Sequence, residues 1–200
     1  MNQKKKLFVR MISIFKIETF SNFIRIIGDK EERFLKLYRP QIHLPKSKWQ
    51  LRLNVIGYVV FIAAVVYSLI QLVSLPAEVP IHFNFAGEAD GWGSKYFLLL
   101  LPFITVILTL VLEALEKNPQ MHNYPDRMNE SNVMEFYRTS VQTLNVLKNG
   151  LLIIFGLLQL EIVLAAQQSS FAFGVLLPIF LGIVVIVPIV WHFVAISKIK

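Results

Sequence analysis

The sequence predicts an all-α membrane protein, a four-transmembrane-helix bundle with an ordered extracytoplasmic loop and a cytoplasmic N-terminal segment. Three observations predict it. Of the 200 residues 55% are hydrophobic and only 16% charged, where a soluble domain carries about a quarter charged residues and just under half apolar. The charge is crowded into residues 1–52 and 113–148, which leaves long apolar runs elsewhere. Lys and Arg also fall almost entirely to one side of the pattern those runs define. A bilayer demands this layout, because its hydrocarbon core is ~30 Å thick and takes roughly 20 apolar residues to cross as helix.

Two regions follow: a basic cytoplasmic or interfacial segment over residues 1–48 and a membrane domain over residues 49–200. In the first, the stretch LFVRMISIFKIETFSNFIRIIG is apolar but interrupted by Arg10, Lys16, Glu18 and Arg25. A charge at the centre of a span costs ~2.5–3.5 kcal/mol. Residues 1–39 are therefore expected to lie on the inner leaflet, against anionic lipid head groups, or to pack on a protein partner. No uninterrupted apolar core follows Lys4, Lys5 and Lys6, which argues against a secretory signal peptide. Pro40 and Pro45 punctuate the linker to the first span.

The spans are expected at about 53–75, 96–114, 150–166 and 171–196, as helices, because backbone groups in lipid must be satisfied within the segment. Residues 1–52 hold thirteen of the twenty Lys and Arg, the loop 115–149 four, and the tail Lys198 and Lys200. The loop 76–95 holds Lys95 and the hairpin AQQSSF none. An even number of spans with basic ends puts both termini in the cytoplasm. Trp49, Trp191 and Tyr96 fall where interfacial aromatic anchors belong. The inner loop opens on Pro119 and Pro125. From about Glu130 its apolar residues (Val133, Phe136, Tyr137, Val141, Leu144, Leu147) recur at helical spacing, so that helix runs on into the third span.

The outer loop, residues 76–95, is the most distinctive stretch. Ile81, Phe83 and Phe85 alternate with His82, Asn84 and Ala86, a short strand pattern. Gly87, Gly91 and Gly93 then supply turns, with Asp90-Gly91 a turn signal of its own. The run PxxVPxHFNxxGxxDGWGSK, followed by a helix starting LLLLP, resembles the bacterial membrane family known as domain of unknown function 1648. The resemblance covers roughly residues 50–165, through Asn123-Tyr124-Pro125. It implies a protein of the bacterial cytoplasmic membrane. The family includes immunity proteins that protect a bacterium from its own sporulation-delaying toxin and that also act in signalling.

Candidate ligand-binding residues are His82, Asn84, Asp90, Trp92 and Lys95 in the loop, with Glu161 and Gln71 just beneath it. His82, Asn84 and Asp90 are ordinary metal ligands by type. The four histidines are scattered, however, with no compact ligand spacing, so no metal or cofactor is expected and the loop is read as hydrogen-bonding to itself. Glu161 lies about five residues deep in the third span, and a carboxylate there needs a partner or a cavity. One reading is a polar pocket roofed by the loop. The plainer one is a salt bridge from Lys95 or His82 that fastens the loop to the bundle. Glu113, beside Glu116 and Lys117, reads as an interfacial charge without further role.

With no cysteine in the chain, thiolate chemistry is excluded. Nucleophile arrangements and phosphate-binding or dinucleotide loops are absent, and the basic charge lies beside a membrane helix, which speaks against nucleic acid. A binding, sensing or immunity-type protein acting through the loop is expected ahead of an enzyme. The alternative is a proton-linked transporter or membrane enzyme that uses Glu161. A protein partner or homo-oligomer stays open.

Overall fold

The computed structural model describes residues 39–168 and 173–200. The interfacial reading of residues 1–39 (Arg39 excepted), the tip of AQQSSF and the expected start of the fourth span at Phe171 lie outside the described residues. Among those described, four helices are long and apolar enough to cross a membrane, and the chain is a multi-pass membrane protein.

Helix α1 spans Lys48–Gln71. It starts five residues before the apolar run because Ser47 and Gln50 build a cap. The Gln50 amide oxygen accepts from Ser47 N at 2.9 Å and from Ser47 Oγ at 2.8 Å, and Lys48 and Arg52 ride in the first turns, where charge is tolerated. It also ends four residues before Leu75. Helix continuation would require the carbonyl of Leu72 to accept from the nitrogen of residue 76, which is proline and has no hydrogen to give. The chain turns instead, with Ser74 N and Leu75 N both donating to Gln71 O.

A two-stranded antiparallel hairpin follows, β1 (Glu78–Phe83) and β2 (Ala89–Ser94). The first strand is legible in the alternation around Ile81. The second is not, and so the otherwise all-helical fold carries one small sheet. Pro80 faces Trp92 and His82 faces Gly91, so Ile81 is an extra residue; Phe83 then faces Ala89, which makes Asp90 extra on the other strand. Two compensating bulges re-aim side chains within a short ribbon. Chain beyond the hairpin passes through a 3₁₀ turn, Lys95–Leu99, directly into α2, Leu100–Lys117.

After a short 3₁₀ turn at Pro119–Met121 comes α3, a single helix over Val133–Ala166. Its 34 residues make it about 50 Å long, well beyond a bilayer core, as the continuing periodicity predicts. Helix α4 covers Leu176–Lys198. The four do not form a symmetric bundle. Helix α3 packs against each of the others, while α1, α2 and α4 scarcely touch one another. Close approach to α3 depends on small residues. A Cβ on Gly156 would sit 3.2 Å from the backbone of Phe61, and one on Gly57 would sit 2.7 Å from Asn149 Oδ1.

Two apolar clusters close the ends. At the hairpin end, Leu75, Val79, Leu98 and Val163 are buried together, so the first strand is pinned on α3 by Val79. At the opposite end, where the described chain begins and finishes, Tyr124, Met128, Val133, Phe136, Tyr137 and Ile199 form the second cluster. Arg127 donates to the carbonyls of Ile196 and Ile199 there. Ile199 O lies past the last turn of α4, and Ile196 O also accepts from Ile199 N at 3.2 Å.

Candidate functional site

The hairpin lies over the end of α3 and the start of α4 and leaves a cavity of about 280 Å³ between them. That is at the small end of the range for ligand pockets, ~300–1,000 Å³. Its walls are mostly apolar (Ile81, Phe155, Leu158, Leu181), and three of the predicted site residues reach it: His82, Asn84 and Glu161. A second cavity of about 190 Å³ adjoins it between β1, α2 and α3 and shares Ile81, Leu158 and Ile162 with the first.

The hairpin geometry explains why the loop is ordered. Asn84 Oδ1 accepts from Ala86 N at 2.9 Å and Glu88 N at 3.0 Å, and Asn84 Nδ2 donates to Glu88 Oε2 at 3.1 Å. This is an Asx-type turn. It closes through Gly87, whose φ of +82° is left-handed and whose Cβ position is occupied by the Gly174 backbone. His82 Nδ1 and Asp90 Oδ1 pair at 2.5 Å, both well exposed, and Asp90 reaches there because it is bulged. Gly91 and Gly93 leave room for the side chains of His82 and Ile81 across the ribbon.

Glu161 is buried, 2% exposed, but the expected salt bridge is not the one formed. Lys95 Nζ donates to Leu75 O at 3.1 Å, holding the turn after α1, and His82 is engaged by Asp90. The Glu161 carboxylate accepts instead from Phe173 N at 2.7 Å and Gly174 N at 3.2 Å. These amides lie just ahead of α4, where backbone donors lack intrahelical acceptors and the helix dipole favours negative charge. Glu161 thereby caps α4 from α3. Gln71 lies apart from the cavity and accepts from Gln167 Nε2 at 2.9 Å, tying the ends of α1 and α3. Trp92 is exposed opposite Pro80. Of the seven predicted residues, then, His82, Asn84 and Glu161 share the cavity, Asp90 supports it through His82, and Trp92, Lys95 and Gln71 do not line it.

At the far end of the helices is a polar cluster that the sequence reading assigned no role. Lys148, on α3, is 0% exposed. Its Nζ lies 2.5 Å from Glu113 Oε2 and 2.9 Å from Glu116 Oε1, both on α2. Lys46, from the linker before α1, contacts the other oxygens of the same two carboxylates at 2.9 and 2.8 Å. Two cations and two anions thus alternate in a neutral square. Asn145 Nδ2 touches Glu116 at 3.3 Å and, with Asn149 Nδ2, donates to Asn54 Oδ1 on α1 at 2.9 and 2.7 Å. Burial works to lower the Lys46 pKa, but hydrogen bonds to Glu116 and Glu113 outweigh it and hold the ammonium above its ordinary value. Asn145, Lys148 and Asn149 stand at i, i+3 and i+4 on α3, as Glu113 and Glu116 do at i and i+3 on α2. Those two stripes were the available signal.

Beside this square, His122 Nε2 meets Leu115 O at 2.9 Å and His122 Nδ1 meets Ser140 Oγ at 2.7 Å. A carbonyl can only accept, so Nε2 carries the proton and Nδ1 accepts from the serine. Burial pushes the imidazole pKa below its ordinary value, with the Arg39 guanidinium adding to it. Among the described residues no group of His, Asp and Glu could hold a metal ion.

Comparison with known proteins agrees with the motif. Residues 59–106 match the family described as Domain of unknown function (DUF1648). The matched stretch runs from the middle of α1 through the hairpin into α2, so it contains both strands and the turn at Gly87. A relative from Archaeoglobus fulgidus, described as an uncharacterized protein, is 34% identical over 87 residues, 40% of this chain and 46% of its own length. The chain therefore spans less than half of that relative. No solved structure matches.

Proposed function

We propose that this chain is a membrane binding protein of sensing or immunity type that takes a small ligand into the cavity beneath its hairpin. One observation carries the reading. An ordered turn, a capped helix and a bulged strand together hold His82, Asn84 and Glu161 around one mostly apolar space of about 280 Å³. Few convergent polar groups in an apolar cleft are what small-molecule recognition needs. The proton-handling alternative for Glu161 has less behind it, because both carboxylate oxygens are engaged by backbone amides. The resemblance to a family that includes immunity and signalling proteins supports the sensing reading.

The same proposal places the hairpin outside the bacterial cytoplasmic membrane, both termini inside, and the basic N-terminal segment against anionic head groups or a protein partner. The Lys and Arg distribution supports this orientation. Because the chain has no cysteine, single Phe85→Cys and His43→Cys variants test it with a membrane-impermeant maleimide. Labelling of Phe85→Cys alone in intact cells is expected, and the reverse pattern refutes the orientation. Binding is tested by native mass spectrometry of the wild type and Leu158→Trp in mild detergent. An added mass on the wild type alone is expected. Equal spectra from the two proteins refute the binding reading.

A further inference from the structure

The two cavities at the hairpin end are not separate features. They share Ile81, Leu158 and Ile162, and those residues are the roof and floor of a single groove along one face of α3, with α2 on one bank and α4 on the other. Phe155, Leu158 and Ile162 follow at i, i+3 and i+7, one helical stripe, and all three are only half-buried. The groove exists because α2 and α4 both lean on α3 without meeting each other. Its rims carry exposed apolar side chains, Leu100 and Ile104 on α2 and Leu181 on α4, all within helices that cross the membrane. A ligand can therefore enter sideways from lipid without crossing the hairpin.

Among the described residues the groove is polar at one place, the part of the larger cavity reached by His82, Asn84 and Glu161. The charge there is of one sign. Glu161 lines the space, Asp90 stands behind His82 and Glu88 behind Asn84. The one lysine of the hairpin region, Lys95, is turned away to Leu75 O. Of the charged groups in residues 76–95, Glu78, Glu88 and Asp90 outnumber Lys95. An occupant's polar end must then be a hydrogen-bond donor, cationic or neutral. A phosphate or carboxylate would meet the Glu161 carboxylate with no Lys or Arg among the described lining residues to offset it.

We infer that the ligand is an amphiphile with an amine or hydroxyl head and an alkyl tail, taken laterally from the leaflet on the hairpin side. The tail lies on Leu158 and Ile162 towards α2, and the head donates to Glu161. This deepens the proposed binding role and rests on it.

The test uses the full-length protein in lipid nanodiscs with a diazirine-bearing analogue of dodecylamine, and maps the cross-linked residues by peptide mass spectrometry. Label is expected on α3 around Leu158 and Ile162 and on the facing turns of α2 and α4, above the level on Val55, Val59 and Ile62, which are exposed on α1. Unlabelled dodecylamine or dodecanol is expected to compete at least about tenfold better than dodecanoate, a difference of ~1.4 kcal/mol. Leu158→Trp, which fills the shared floor, is expected to abolish the selective label. Uniform labelling of every lipid-facing helix overturns the inference, and so does equal competition by dodecanoate. If labelling is uniform but the wild type alone retains a polar molecule in native mass spectrometry, the binding role stands and the amphiphile fails. If the wild type and Leu158→Trp give equal spectra as well, both fail.

Discussion

Lys148→Met isolates the energetic role of the ion square. The substitution replaces the four-carbon stem of a side chain that is 0% exposed by an apolar one of similar reach, so the lost ammonium is the main change. Two carboxylates then share Lys46, with the exposed Lys117 besides it at 3.9 Å from Glu113, and Glu116, with a side chain 1% exposed, has no solvent to turn to. Removing one partner of a buried pair costs ~3–5 kcal/mol, because the remaining charge stays buried and uncompensated. The loss is expected at that level. The double variant Lys148→Met, Glu116→Gln leaves one balanced pair, Lys46 with Glu113 at 2.9 Å. It is expected to be at least ~2 kcal/mol more stable than the sum of the two single changes, within the range of coupling between touching residues. Lys117 provides the control. It lies 3.9 Å from Glu113 and its side chain is 70% exposed, and Lys117→Ala should change little, since exposed pairs contribute at most ~1 kcal/mol. Reversible unfolding in mixed SDS micelles, read by the fluorescence of Trp49, Trp92 and Trp191, gives all four numbers. A Lys148→Met loss below ~0.5 kcal/mol, or strictly additive double-variant behaviour, refutes the reasoning.

Glu161→Ala strands two backbone amides at the start of α4 and is expected to destabilise by ~1–3 kcal/mol, with Glu161→Gln milder because one acceptor survives; thermal unfolding in detergent measures both. Gly87→Ala forces a side chain into a left-handed conformation at ~1–2 kcal/mol and drives it against Gly174. Hydrogen exchange at residues 84–88 should accelerate, and unchanged protection would contradict the placement. His122 gives a pH dependence of known sign. Its pKa is lowered on folding, so the unfolded chain binds a proton first as pH falls. The contribution is present above the ordinary histidine value near ~6.5 and is lost as pH drops through the folded value. Unfolding free energy should therefore fall on acidification below ~6.5, and His122→Gln should flatten that slope; an unaltered slope would assign it to other groups.

The longest periodic segments were the most legible. The apolar repeat from Val133 onward gives the whole of α3, and the alternation around Ile81 with the glycines after it gives a strand and a turn. The second strand was hidden because ADGWGS has almost no side-chain pattern, and it is held by pairing with β1 rather than by its own preference. The site was legible by type but not by partner. Glu161 was recognisable as a buried carboxylate that needed satisfying, yet the groups that satisfy it are backbone amides, which every residue but proline carries and no sequence pattern marks. Glu113 and Glu116 looked interfacial because their neighbour Lys117 is the nearest cation in sequence. Their real partners, Lys46 and Lys148, are brought to them by folding.

The radial arrangement of the helices also sets an order of events while the protein is made. Synthesis delivers α1, the hairpin and α2 before any of α3 exists. Since α1 and α2 scarcely touch, a ribosome-bound intermediate of that length has two membrane helices with little to hold them together. Of the two lysines that bridge Glu113 and Glu116 in the folded protein, Lys46 is the one present at that stage. Emergence of the third helix supplies the second cation, the asparagines that reach Asn54 and the surface on which both earlier helices settle. Nascent chains halted before Lys148 should thus present a membrane quality-control protease with separated helices and an unbalanced acidic end, and chains halted after Ala166 should not.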